Sequence, residues 1–271
     1  MFSSLPMFDF PELRGHTDAL WAVWANELGR LGVDAPPSLI RPDEALLTHW
    51  RRPELLVSQT CGYPYAAALR PSVTTFGTFA YEIPEGQRPG FYRSVIVARE
   101  SDHRVGAVLA TDNLRAFNGA TVAINATDSL SGCVSLGAAL VNGGVTQVSN
   151  VVVSGSHANT LTVLQRGEAD IAAIDAVSFA LLGDVRPAAI DGITIIERGP
   201  TIPCLPLITG SSAPISILQR ALISALMNLR ERSPDVLRAL RIVNAVFLQE
   251  DDYTNTLALG DMAAALLPVS T

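Results

Sequence analysis

The sequence contains no lysine, so all 19 of its basic residues are arginines. Chemistry that depends on a lysine amine is therefore excluded for this chain, including a pyridoxal Schiff base, a lysine aldolase and the lysine of a phosphate-binding P-loop. Acidic residues outnumber basic ones by 26 to 19, and the net charge of −7 opposes contact with a phosphate backbone. We expect no nucleic-acid partner, although helix N-termini can still hold a small anion.

Cysteine and histidine are scarce and scattered. The three cysteines lie 72 and 71 residues apart, and no two of the four histidines are spaced like metal ligands on a helix. The sequence therefore predicts no disulfide framework, no metal site and no cofactor. It also lacks the motifs GxSxG, HExxH and GxGxxG, so we assign no catalytic residue and favour a protein without enzymatic activity.

Long apolar runs are missing as well. No stretch approaches the roughly 18 residues that a membrane span requires. The opening residues 1–10 carry neither the basic start nor the apolar run of a signal peptide. As written, the sequence predicts a cytoplasmic protein with no membrane insertion; a start further upstream would make it periplasmic.

What is present indicates two lobes of an α/β protein. The chain has 271 residues, 48% of them hydrophobic, and domains average about 150 residues. Short β-rich runs alternate with small polar residues and helical patterns, which favours mostly parallel sheets flanked by helices. Segments 86–90 and 182–192, rich in glycine, proline and charge, mark the crossings. We expect residues 1–88 and 190–271 to form one discontinuous lobe, and residues 89–189 to form an inserted one.

Local patterns give the individual elements. Residues 121–125 read as a strand, followed by a helix that stops at Asn142, and residues 148–153 and 169–174 repeat the unit. Trp21, Trp24 and Leu28 share one helical face. Near the C-terminus we predict helices over 215–230, 234–240 and 253–267.

Small hydroxyl residues recur where the predicted strands turn into helices: Ser58 and Thr60, Ser129 and Ser131, Ser154 and Ser156. Taken singly, each is explained as a helix cap. Taken together, they would surround one point with amide and hydroxyl donors, as an oxyanion requires.

Three further residue types have both a structural and a functional interpretation. His157 is either a neutral donor at a helix start or a histidine bonded to a local carbonyl. Asp175 either caps a helix or recognises a cationic or hydroxylated part of a ligand. Tyr63 and Tyr92 either pack in a core or line a cleft.

These segments resemble the PhnD-like family of phosphate, phosphite and phosphonate substrate-binding proteins of ABC importers. The resemblance rests on an ordered set that covers nearly the whole chain: LPMFD at 5–9, SQTCGYP at 58–64, GFYRS at 90–94, Asn125 with SLSG at 129–132, SGSH at 154–157, and GEAD at 167–170 leading to Asp175. It implies the type II periplasmic-binding-protein fold, with a ligand cleft between the two lobes.

The resemblance also implies a set of ligand-binding residues. The oxyanion would be held by Ser129, Ser131 and the backbone at Gly132 and Cys133, with His157 from the Gly-Ser-His segment. Tyr92 would correspond to a tyrosine near the hinge, and Asp175 to a carboxylate that meets a ligand amine. The full candidate set adds three residues from the junctions: Ser156, Thr60 and Tyr63. Leu130 departs from the family, which has a hydroxyl residue between the two serines.

The leading hypothesis is a non-catalytic protein that closes on a small oxyanion or anionic metabolite, with an ABC permease as partner by resemblance. An alternative is a cytoplasmic enzyme of the same fold that acts on a small organic carboxylate, as in menaquinone or thiamine pathways. A second alternative is a ligand-sensing regulatory module.

Overall fold

The structure is a computed structural model that describes residues 1–111, 113–210 and 214–270. The chain divides into two compact units. The first comprises residues 1–82, 88–90 and 203–254, and the second comprises residues 83–87, 91–202 and 255–271.

The first unit is built on a five-stranded sheet with the order β1-β2-β9-β3-β10. Its strands are β1 (Phe2–Ser3), β2 (Leu55–Gln59), β3 (Val73–Tyr81), β9 (Pro206–Gly210) and β10 (Ile242–Val246). The pair β1–β2 is parallel, whereas β2–β9, β3–β9 and β3–β10 are antiparallel. The expectation of a mostly parallel sheet is therefore wrong for this unit. The reason is that the chain returns from the second unit as β9 and enters between β2 and β3 from the opposite end.

Helices of the first unit cover this sheet: α1 (Arg14–Arg30), α2 (Leu46–Trp50), α3 (Gly62–Pro64), α8 (Ile215–Arg232), α9 (Pro234–Ala239) and α10 (Glu250–Thr254). The predicted apolar face of α1 is confirmed, because Trp21, Trp24 and Leu28 are all buried. The Trp24 ring lies 6.0 Å from that of Phe76 and 6.3 Å from that of Phe79, edge to face with both β3 side chains. Short turns at Pro11–Leu13 (3₁₀) and Tyr65–Leu69 (π-helical) complete the unit.

The second unit contains the other five-stranded sheet, with the order β6-β5-β7-β4-β8. Its strands are β4 (Phe91–Arg99), β5 (Thr121–Ile124), β6 (Asn150–Val153), β7 (Ile171–Ile174) and β8 (Ile193–Pro203). Here β5 pairs parallel with both β6 and β7, and β4 runs antiparallel to β7. Side chains of the sheet, including Ile96, Val122 and Ile171, form a buried core with Leu136 and Leu140.

The helices of the second unit are α4 (Arg104–Thr111), α5 (Ser135–Asn142), α6 (His157–Gln165), α7 (Ala176–Val185) and α11 (Leu257–Ala263). Shorter turns lie at Arg115–Phe117 and Pro187–Ala189 (3₁₀) and at Leu130–Val134 (π-helical). The predicted end of a helix at Asn142 is confirmed. The mixed α/β architecture expected from the sequence is confirmed too.

Two features of chain organisation differ from expectation. Segment 182–192 does not leave the second unit, because Gln165 Nε2 donates to Ala188 O and Asp191 O and so fixes this turn against α6. The single helix expected over 253–267 is two short helices, α10 and α11, which belong to different units. Helix α11 packs on α5, where an added Cβ on Gly137 would lie 2.5 Å from Ala263 Cβ. Within the described residues, no helix combines the length and hydrophobicity of a membrane span.

Candidate functional site

Three strand-to-helix junctions of the second unit lie at one edge of its sheet. Strands β6, β5 and β7 are parallel neighbours, so the residues that follow them meet at the same edge. These are the turn at Ser129, the segment at His157, and Asp175. Because β4 is antiparallel with Val95 opposite Ile174, its beginning at Tyr92 reaches the same edge. The topology therefore gathers most of the predicted site residues.

The turn after β5 is organised by Ser129. Its Oγ accepts a hydrogen bond from Gly132 N at 3.0 Å, as an N-cap does. Its carbonyl oxygen accepts from Cys133 N at 3.1 Å and from Val134 N at 3.0 Å, which makes the following turn π-helical. The amides of Gly132 and Cys133, which the resemblance assigned to the ligand, thus donate within the turn in this structure.

A side chain at position 132 would meet the side chains of Asn125 and Ser129. An added Cβ would lie 1.8 Å from Asn125 Oδ1, 3.0 Å from Asn125 Cγ and 3.1 Å from Ser129 Oγ. Asn125 directly follows β5, and its Oδ1 is buried without a hydrogen-bond partner among the described residues. The side chain of Asn125 therefore packs against the backbone of the turn that carries the two serines.

A contact between Ser131 and His157 connects the junction after β5 with the junction after β6. Ser131 Oγ lies 3.1 Å from His157 Nε2, and 26 residues separate them in sequence. His157 Nδ1 is buried and has no partner among the described residues. Burial lowers the pKa of His157, although the nearby Asp175 charge acts in the opposite direction. Burial therefore favours the neutral imidazole.

Asp175 is held from two sides. Its Oδ1 accepts from Ser178 N at 2.8 Å, so the aspartate caps α7. Its Oδ2 accepts a hydrogen bond from the Tyr92 hydroxyl. Asp175 is 2% exposed and Tyr92 1% exposed. The cap interpretation of Asp175 is thus confirmed, and both carboxylate oxygens have donors.

The other predicted residues have structural contacts. Ser156 Oγ accepts from Asn159 N at 3.2 Å and caps α6. The Cys133 thiol belongs to the buried core, and burial together with the charge of Asp128 raises its pKa to about 12. In the first unit, Thr60 N donates to Pro206 O at 3.1 Å, and Thr60 and Tyr63 are both buried.

The first unit also contains a hydrogen-bonded series that sequence reasoning missed. Ser4 Oγ lies 2.8 Å from His49 Nε2, and His49 Nδ1 lies 3.3 Å from Glu44 Oε1. Ser58 Oγ continues the series 2.8 Å from Ser4 Oγ and accepts from Trp50 Nε1 at 3.1 Å. Because Ser4 and His49 are both 0% exposed, no substrate can reach this hydroxyl, and the series ties α2 to the ends of β1 and β2. No sequence motif links residues so far apart.

Across residues 1–111, 113–210 and 214–270, no three or more histidine, cysteine, aspartate or glutamate side chains cluster in a way that could hold a metal ion.

Comparison with known proteins agrees with this geometry. A family model described as "ABC transporter, phosphonate, periplasmic substrate-binding protein" matches residues 16–253. The chain belongs to this family. The match favours a binding protein over the enzyme and the regulatory module considered from the sequence, and it confirms the resemblance found there. Comparison with curated sequences finds no match.

Several solved structures share the fold. XAC2383 from Xanthomonas citri, solved with chloride, has a TM-score of 0.71 at 12% identity over 97% of both chains. PhnD1 from Prochlorococcus marinus in complex with methylphosphonate has a TM-score of 0.66 at 14% identity, over 97% of this chain and 98% of that one. The periplasmic aliphatic sulphonate binding protein SsuA from Escherichia coli has a TM-score of 0.61 at 12% identity, over 96% and 85%. These likenesses establish the periplasmic-binding-protein fold of type II.

Proposed function

We propose that this protein binds a small tetrahedral oxyanion of the phosphonate class through the Ser129 and Ser131 hydroxyls, without catalysis. The observation that supports this most is the Ser131–His157 contact, which brings two helix starts together at the sheet edge where ligands of open α/β sheets bind. Family membership supports the ligand class. A protein with the same fold, PhnD1, was solved with methylphosphonate.

The donor count supports binding of moderate strength. Ser129 Oγ accepts from Gly132 N and keeps its own hydrogen to donate, and Ser131 Oγ has His157 as its side-chain partner. Leu130 between them contributes no side-chain donor. Hydrogen bonds to a charged group contribute about 1.5–3 kcal/mol each, so a few of them correspond to micromolar affinity once ordering costs are subtracted.

We further propose that the ligand carries no amine. Both oxygens of Asp175 already accept hydrogen bonds, from Ser178 N and from the Tyr92 hydroxyl. Asp175 is 2% exposed and Tyr92 is buried, so a ligand ammonium group could reach this carboxylate only if the surrounding side chains moved. Aminoethylphosphonate should therefore bind no more tightly than methylphosphonate.

Thr60 and Tyr63 lie in the other unit, and their part in binding stays a prediction. The partner that we propose is the permease of an ABC importer, since the family consists of its substrate-binding components. The same description supports a periplasmic site of action.

Isothermal titration calorimetry with methylphosphonate, phosphate, phosphite, aminoethylphosphonate and methanesulfonate tests the proposal. We expect micromolar binding of methylphosphonate by the wild type and at least a tenfold loss in Ser131→Ala. Ser149→Ala is the matched control, because Ser149 lies just before β6 at the opposite edge of the sheet and binds Thr121. Equal affinity in Ser131→Ala and wild type, or no binding of any probe, would refute the proposal.

A further inference from the structure

The ring nitrogen of His157 that carries the proton decides whether Ser131 presents a hydrogen-bond donor or an acceptor to a ligand. A neutral imidazole carries one N–H and one bare nitrogen, so its Nε2 either donates to Ser131 Oγ or accepts from it. In the first case the Ser131 hydroxyl hydrogen is free for a ligand. In the second case the Ser131 hydroxyl hydrogen is donated to His157, and the serine oxygen can only accept a hydrogen bond from a ligand. The two arrangements place opposite ends of the same hydroxyl dipole toward a ligand.

The surroundings of His157 Nδ1 decide between them. This atom is buried and has no partner among the described residues. A buried N–H without an acceptor is rare and unfavourable in proteins, whereas a bare acceptor without a donor is better tolerated. This favours the tautomer in which Nδ1 is the bare nitrogen and the hydrogen is on Nε2, 3.1 Å from Ser131 Oγ.

Of the charges packed around α6, that of Asp175 acts against the neutral form of His157, and burial outweighs it. Strands β5 and β7 contribute no titratable side chain, and neither does the turn at Pro187–Ala189. On β4, the Tyr92 hydroxyl donates to Asp175, Arg93 donates to the carbonyls of Arg198 and Gly199, and Arg99 donates to the carbonyls of Leu164 and Ala169. From α7, the Asp175 charge acts on His157, while Asp184 lies near the far end of that helix.

We infer that His157 is a positioning residue: its Nε2–H donates to Ser131 Oγ and thereby directs the Ser131 hydroxyl hydrogen toward the bound oxyanion. This inference rests on the proposed function for the identity of the ligand. The described residues give Ser131 Oγ no second side-chain partner, so its hydrogen remains for the ligand. The role of His157 is then to act through Ser131 and to select ligands that accept hydrogen bonds.

The inference predicts an asymmetric series of variants. His157→Gln keeps an N–H donor near Ser131, so methylphosphonate should bind within about threefold of wild type. His157→Glu replaces the donor with an acceptor that takes the Ser131 hydrogen, and affinity should fall by about a hundredfold or more, the equivalent of a lost charge-assisted hydrogen bond plus repulsion. Because the carboxylate of His157→Glu repels the oxyanion in any case, His157→Gln is the deciding variant, and a loss as large as that in His157→Phe would overturn the inference.

A double-mutant cycle tests action through Ser131. In the Ser131→Ala background, His157→Phe should change methylphosphonate affinity by less than about twofold, although it should cost about tenfold in the wild-type background. Additive effects would overturn the inference. Thermal unfolding of each variant monitors folding, and Ser149→Ala again serves as control.

A ligand-free measurement separates this inference from the proposed function. Long-range ¹H–¹⁵N correlation spectra of the histidine rings, with His157 assigned by its absence in His157→Gln, should show a protonated Nε2 and a bare Nδ1 at pH 8. A proton on Nδ1 would overturn the inference whether or not any probe binds. If wild type binds none of the probes but Nε2 is protonated, the proposed function fails while the assigned proton position stands.

Discussion

Replacing Gly132 with alanine is the most direct test of how the serine turn is built. The new Cβ would lie 1.8 Å from Asn125 Oδ1 and 3.1 Å from Ser129 Oγ, so the Asn125 side chain must leave its position. Overpacking of this kind costs about 1–3 kcal/mol. We therefore expect Gly132→Ala to destabilise the protein by about 1–3 kcal/mol.

The matched control is Gly106→Ala in α4. Nothing lies within 4 Å of an added Cβ at Gly106, so alanine should be neutral or stabilise the helix by up to about 1 kcal/mol. Thermal unfolding should separate the two variants by several degrees, since 1 kcal/mol corresponds to about 2–4 °C for chains of this size. Calorimetry should also show weaker methylphosphonate binding by Gly132→Ala at a temperature where it is folded. Equal melting temperatures for the two variants would refute the packing argument.

Three other properties follow from buried contacts. Burial lowers the pKa values of His49 and His157 below the unfolded value of 6.5. Their contribution to the free energy of unfolding should therefore be constant above pH 6.5 and decrease as the pH falls below it. Urea unfolding between pH 8 and 5 measures this, and a free energy of unfolding that does not change with pH would contradict it. Arg104→Met should destabilise the protein by about 2–3 kcal/mol, because it leaves the buried Asp102 carboxylate without its closest partner at 2.6 Å. In wild type the Arg104 hydrogen bonds lower the pKa of Asp102 to about 2. Acid titration of Arg104→Met should therefore show a higher pKa for the Asp102 carboxyl than in wild type. Gly137→Ala should loosen α11 from α5, which limited proteolysis would detect as earlier cleavage after residue 254, and an unchanged cleavage pattern would argue against it.

Local patterns were enough to predict the elements that form the site. The apolar spacing of Leu136 and Leu140 and the stop at Asn142 identify α5, and the hydroxyls at 129 and 156 are the caps that they were expected to be. These features depend on periodicity and capping within one turn or two of helix, which a single sequence displays. Only the convergence of several such junctions at one sheet edge suggested more than capping.

Sequence patterns did not reveal which distant side chains meet. No local sequence pattern predicts that β9 lies between β2 and β3, because that position depends on where the chain returns after more than a hundred residues. The same holds for the pairing of Ser4 with His49, since both are ordinary in their local context. The Tyr92–Asp175 contact follows once the β4–β7 register is known, and the register is itself a long-range property.

These long-range contacts bear on how a protein with a net charge of −7 would hold an anion at the proposed site, which lies beside an aspartate. The Asp175 carboxylate is turned to its own helix amide and to the Tyr92 hydroxyl, so the positive ends of two dipoles face its charge. One lone pair on each carboxylate oxygen is therefore engaged before any ligand arrives. The hydroxyls of Ser129 and Ser131, which lie in one turn, are the donors that we propose for the anion. At the proposed site, recognition of an anion would depend on the direction of a few hydrogen bonds at short range, whereas salt screens exposed charges that lie more than about 10 Å away.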